Sequence, residues 1–233
     1  MFNVTQGLET PPISGLIYGH PGVGKTTIAS KLANCLIADL EKGSHHVDAS
    51  RVKLKGEQFF DFLKWFSDQP YDTLIVDSIT ALEAAMVRTI CRENGWENIE
   101  KPGYGKGFEV LKQRWQDNIV YARYLMDSKG KNVIWIAHSQ SKYVRDPTSP
   151  SEYERVEPSI SKKALVEITA AVDFVGYLRE KVTVYEKDGR KLATGSGSRE
   201  LVIKDTPAAL AKIRNESHPL VVALLEATRG SKP

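Results

Sequence analysis

The residues with the clearest capacity for chemistry are the run Gly19-His20-Pro21-Gly22-Val23-Gly24-Lys25-Thr26, followed by Thr27. The spacing is G-x-x-x-x-G-K-T, in which glycines let successive backbone amides turn inward around an anion while a lysine brings a cation to the same point. Polyphosphate binding is the chemistry this supports. Backbone N–H groups would cradle the phosphates, Lys25 would reach the outer ones, Thr26 would offer its hydroxyl to Mg2+, and Thr27 would touch the α-phosphate. ATP with Mg2+ is therefore the expected ligand. A chance glycine-rich turn is the competing reading, and it is disfavoured because a strand pattern leads into the run and a helix pattern leaves it.

Carboxylates come next. YDTLIVDS delivers Asp77 to the end of an apolar strand, where it can order the Mg2+ hydration shell. The following residue is Ser78, whereas AAA-type ATPases and many ATP-driven helicases place a catalytic glutamate there, so that class is disfavoured. Glu41, in ADLEKG, lies just past another strand and is the expected general base, polarising the attacking water. An exposed loop carboxylate is the alternative reading of Glu41. His138 closes the strand VIWIAH and Gln140 follows two residues later; because strands alternate faces, both side chains can point the same way, and either can sense a γ-phosphate.

These residues need a sheet to bring them together. Strand-length apolar runs alternate with segments of helical period, the pattern of an α/β protein with a mostly parallel sheet flanked by helices. The expected strands are Ser14 to Tyr18, Cys35 to Asp39, Thr73 to Asp77, Asn132 to Ser139 and Phe174 to Leu178. The expected helices run from Lys25 to Asn34, across Gly56 to Gln69, and over Ile79 to Asn94, Phe108 to Met126 and Ser161 to Val172. Phe59, Leu63 and Phe66 repeat at helical spacing, as burial of one helix face requires. Asp188-Gly189 marks a hairpin turn in a C-terminal β-hairpin extension. Gly95 to Gly107 and Ser141 to Ile160 lack periodicity and read as long working loops.

YGHPGVGKTT, DLEKG, GYGKGFE, IAHSQ and AAVDFVGYL, in this order, resemble phage-encoded RecA-like ATPases associated with single-strand annealing and recombination, a phage nucleotide-binding AAA/RecA-core family. The resemblance spans roughly Gly15 to Arg214. It implies one RecA-like ATPase domain over residues 1–233 and an ATPase whose rate rises with DNA. It also implies a γ-phosphate sensor at the end of the fourth core strand, and a ring or filament of identical subunits. Ring-forming relatives donate a K-x-R pair to the neighbouring site, which would fall on Lys212 and Arg214. That pattern is common in a chain with 32 lysines and arginines, and a solvated helix face accounts for it slightly better.

By the same resemblance, the two long loops would hold single-stranded DNA. Trp96, Tyr104 and Tyr143 would stack on bases, while Lys106, Lys142, Arg145 and Arg155 would meet phosphates. In the second loop Lys142, Arg145 and Arg155 are outnumbered by Asp146, Glu152, Glu154 and Glu157, so length and position favour DNA more than charge does. The partners implied are single-stranded DNA, further copies of the chain and a single-stranded DNA-binding protein. A ring helicase or helicase loader is the alternative, although the short stretch before Gly19 leaves little room for an accessory domain.

Composition sets the frame for these expectations. The formal net charge of +3 permits nucleic acid without demanding it. Cys35 and Cys91 sit in regular segments and suggest buried thiols in a reducing compartment. His45-His46, without a cysteine cluster, reads as loop structure and not as a metal site. No apolar run reaches the ~18 residues of a membrane span, so the expectation is a cytoplasmic protein without a membrane partner, in the host cytoplasm if phage-encoded.

Overall fold

The computed structural model describes residues 10–145, 151–187 and 190–229. In chain order the elements are β1 (Ser14–Gly19), α1 (Lys25–Ala29), β2 (Cys35–Asp39), β3 (Ser50–Lys53), α2 (Phe59–Phe66), β4 (Thr73–Asp77), α3 (Ile79–Asn94) and α4 (Lys106–Lys129). There follow β5 (Asn132–Val144), β6 (Tyr153–Pro158), α5 (Lys162–Ala171), β7 (Phe174–Lys187), β8 (Arg190–Val202), β9 (Lys212–Ile213) and α6 (Pro219–Arg229). The sheet order is β3-β2-β4-β5-β1-β7-β8. Every pairing from β3 across to β7 is parallel, and β6, β8 and β9 add antiparallel to β5, β7 and β7. The fold is thus α/β, a mostly parallel sheet flanked by helices, with a β7–β8 extension.

Period-two alternation decides which face each strand residue covers. Leu16, Tyr18, Leu36, Leu74, Val76, Val133 and Trp135 face α2, α3, α4 and α5. Ile17, Ile37, Ile75, Ile134 and Ile136 face α1 and α6, through Ile28, Leu220, Val221 and Leu224. Strands buried on both faces are apolar throughout, which is why LIYG, CLIAD, TLIVD and VIWIA are legible in the sequence. Glu83 ties the first helical layer together: its carboxylate accepts Trp115 Nε1–H at 2.8 Å from α4 and the Ser161 backbone N–H at 2.6 Å where α5 begins.

Four expectations shift. The first helix stops at Ala29 instead of Asn34, because Asn34 turns the chain with φ 46° and donates its side-chain amide to Pro70 O and Asp72 Oδ2, at 2.8 and 3.0 Å. β3 is an addition, a short strand at the sheet edge, half-buried and charged, without the apolar run that marks the others. The region Ser141 to Ile160, expected as a loop, carries two antiparallel strands in its described residues: β5 continues to Val144 and pairs with β6 from Ser139↔Pro158 to Val144↔Tyr153. Its footing is the buried Tyr18, whose hydroxyl donates to Val156 O and Leu210 O at 3.0 and 2.8 Å, a tertiary contact with no local signature. Lys212 and Arg214, read as a helix face, lie at strand β9 and just past it. The turn expected at Asp188-Gly189 lies outside the described residues, while the strands beside it pair from Lys187↔Arg190.

Candidate active site

Parallel pairing brings the carboxyl ends of the strands to one edge: Gly19 is in register with His138 and Leu178, and Asp39 with Asp77. Residues scattered from 19 to 138 become neighbours there. Ligands of open parallel sheets bind outside this edge.

The glycine-rich run wraps the end of β1. A Cβ on Gly19 would sit 2.3 Å from Leu178 O, so β7 can approach only a glycine. Gly24 adopts φ 96°, in the left-handed region where other residues are strained. His20, Pro21 and Gly22 are exposed at the mouth, Val23 and Gly24 half-buried behind them. Lys25 opens α1 and is buried, its ammonium donating to Gly19 O and His20 O at 2.9 Å each. Burial pulls its pKa below the usual lysine range, with Asp77 and Glu41 opposing. Thr26 Oγ1 donates to Asp77 Oδ2 at 2.7 Å, and Thr27 follows it in the first turn.

Asp77 is buried, and burial pushes its carboxyl above the usual range; Thr26 and Lys25 oppose this, while Glu41 and Asp39 push it further up. The Thr26 hydroxyl and the Asp77 carboxylate form an oxygen pair in a field made negative by Glu41 and Asp39, which a hard divalent cation would relieve. The residues therefore fit Mg2+, with Thr26 and Asp77 as its holders. Among the described residues no group of three or more His, Cys, Asp and Glu could hold a metal by itself. Nucleotide-bound Mg2+ needs few protein ligands, because phosphate oxygens and water complete its octahedron. His45 and His46 meet each other edge to face, 5.9 Å apart.

Asp39 and Glu41 divide their work. Asp39, 1% exposed, accepts from Gly43 N and Ser44 N at 3.2 Å each and from Ser44 Oγ at 2.7 Å, folding residues 40–44 into a tight turn. Burial raises its carboxyl, but these hydrogen bonds together outweigh burial and hold it below the usual range. The turn presents Glu41, whose Oε1 accepts from Ser78 Oγ and lies 2.9 Å from His138 Nε2. A carboxylate can only accept, so Nε2 carries the hydrogen, and His138 Nδ1 is buried without a partner. Gln140 goes elsewhere, its amide donating to Glu157 Oε1 and Pro158 O at 3.2 Å each. Ser78 and Ser44 join the site without any signal in the sequence: they act by reaching a glutamate and an aspartate from other segments, and a lone serine does not announce that.

Lys212 and Arg214 stand at the opposite edge. Lys212 Nζ donates to Thr169 O and Val172 O at 2.7 Å each, and Arg214 meets Asp173 Oδ1 at 3.2 Å, beside the start of β7. The residues expected at DNA also part company. Trp96 packs against the helical core, Lys142 pairs with Glu157, and Arg155 pairs with Asp205. Tyr104 is fully exposed between two left-handed glycines, Tyr143 is 77% exposed on β5, and Lys106 and Arg145 are exposed beside them in sequence.

A glycine cradle with a buried lysine at the carboxyl edge of a parallel sheet, and a threonine–aspartate pair below it, define a P-loop nucleotide-binding domain. The chain belongs to the AAA domain family, whose model matches residues 11–215. The place after Asp77 is serine, and Glu41 reaches it from the loop after β2, where the Ser78 hydroxyl donates to its carboxylate. Among solved structures, the RadB recombinase is similar at a TM-score of 0.46 and 14% identity, over 88% of this chain and 92% of that one. No curated protein matches the chain. Among the described residues no helix is long and apolar enough to cross a membrane.

Proposed function

We propose that this chain is a Mg2+-dependent ATPase with a RecA-like core, working as a homo-oligomer on single-stranded DNA in phage-type recombination or strand annealing. The observation that carries the catalytic part is the meeting of Glu41 with Ser78 and His138 beside the Thr26–Asp77 pair. In this reading Lys25 exchanges the carbonyls of Gly19 and His20 for phosphate oxygens. Glu41 orients a water molecule against the γ-phosphorus and takes its proton as the new P–O bond forms; the bond from γ-phosphorus to the bridging oxygen breaks, and ADP leaves with that oxygen. Mg2+ on Thr26 and Asp77 would neutralise phosphate charge. His138, hydrogen-bonded to the base, is the better placed of the two sensor candidates, since Gln140 is engaged by β6.

The DNA role is supported by the resemblance of the sequence and by Tyr104 and Tyr143, large aromatic rings held in solvent where bases could stack. Lys106 and Arg145 add exposed cations. The deciding experiment measures ATP hydrolysis with no DNA, duplex DNA and single-stranded DNA. Stimulation by the single strand is expected, and a rate indifferent to all three would overturn the DNA role while leaving the ATPase intact.

A further inference from the structure

The β7–β8 extension delivers a cation to the glycine-rich loop. Built onto Gly24, a Cβ would lie 2.7 Å from Arg199 Nη1, 2.9 Å from Cζ and 3.4 Å from Nε, so the guanidinium rests on the loop one residue before Lys25. Its strand neighbours are already engaged. Arg179 Nε donates to Glu200 Oε1 at 2.6 Å, and Glu180, the register partner of Arg199, accepts from Gly197 N at 3.1 Å. Among the described residues the Arg199 guanidinium has neither a hydrogen bond nor an ion pair. A cleft of about 730 Å3 opens between His20–Val23 and Tyr177–Val182, with Glu200, the residue after Arg199, in its wall. A half-buried cation without an anion, set against a loop built to hold anions, lacks the partner that its planar fork of donors is suited to bind in bidentate fashion.

We propose that Arg199 binds the polyphosphate of the nucleotide held by the P-loop of the same chain. This rests on the P-loop reading above, and it makes the extension the element that closes the phosphate site in cis. Lys212 and Arg214 are occupied by carbonyls and Asp173 at the far edge of the same sheet.

The test is equilibrium displacement of a fluorescent ATP analogue by ATP, inorganic tripolyphosphate and adenosine, for the wild type, Arg199→Ala, Arg199→Gln and Lys25→Ala. Loss of one charge-assisted contact should weaken ATP and tripolyphosphate by about 10- to 100-fold in both Arg199 variants and leave adenosine unchanged. ATP affinity unchanged in the Arg199 variants but lost in Lys25→Ala overturns the proposal and leaves the P-loop reading standing. Weakened ATP with unaltered tripolyphosphate assigns Arg199 to the base or ribose and also overturns it. A wild type that ignores ATP, or a Lys25→Ala variant that binds it normally, removes both.

Discussion

His138 Nε2 stands 2.9 Å from Glu41 Oε1, joining the middle of β5, where its pairing with β1 ends, to the turn after β2 across β4, which is followed by Ser78, donor to the same carboxylate. Glu41→Gln should therefore lower the ATP turnover rate by about 10²- to 10⁴-fold, the usual worth of a general base, with nucleotide affinity retained. His138→Ala should reduce turnover less, because Ser78 still holds the glutamate. Single-turnover hydrolysis checks both, and wild-type rates in Glu41→Gln would remove the glutamate from the chemistry.

Asp77 carries a linkage of definite sign. Its folded pKa is raised above the ordinary 3.8, so the folded state holds the proton more tightly than the unfolded one, and nucleotide-free stability falls as pH rises through that window. Asp77→Asn should consequently melt at the same temperature or higher at neutral pH without nucleotide. Mg2+-dependent nucleotide binding should weaken by about tenfold or more, because an amide offers the cation no charge. Calorimetric melting with and without Mg-ATP separates the two effects.

Asp39 runs the other way. Its pKa is depressed, so its contribution is present above the unfolded value and is lost as pH falls through the lower folded one, below 3.8. Asp39→Ala should cost about 2 kcal/mol at neutral pH, since it leaves the Gly43 and Ser44 amides and the Ser44 hydroxyl without their acceptor. The same variant should slow hydrolysis, the turn that aims Glu41 having lost its anchor. Urea unfolding at neutral pH and below 3.8 should show the difference shrink.

On the proposed DNA face, exposure sorts the candidates. Tyr104→Ala and Tyr143→Ala should each weaken single-stranded DNA binding by about 1–3 kcal/mol without lowering the melting temperature, whereas Trp96→Ala should lower it. Lys106→Ala and Arg145→Ala should flatten the salt dependence. Arg155→Ala and Lys142→Ala should do so less, as their charges already face Asp205 and Glu157. Fluorescence anisotropy across a salt series reads all of these.

The cradle from Gly19 to Thr27, Asp77 behind it and the parallel α/β core are legible in the chain because their determinants are local. Glycines set backbone conformation where they stand, and an apolar strand announces its burial by composition. Partners distant in sequence are not legible. That Ser78 holds Glu41, that His138 and not Gln140 reaches it, and that Arg199 lies on Gly24 follow only from strand order and register, which bring residues 41, 78 and 138 to one edge and fold the β7–β8 extension back onto the loop. Lys212-x-Arg214 shows the same limit from the other side. Its spacing matches a finger motif, yet antiparallel pairing with the start of β7 puts it at the edge opposite the glycine-rich loop. Sequence determined which residue types were available to the chemistry, and the sheet decided which of them meet.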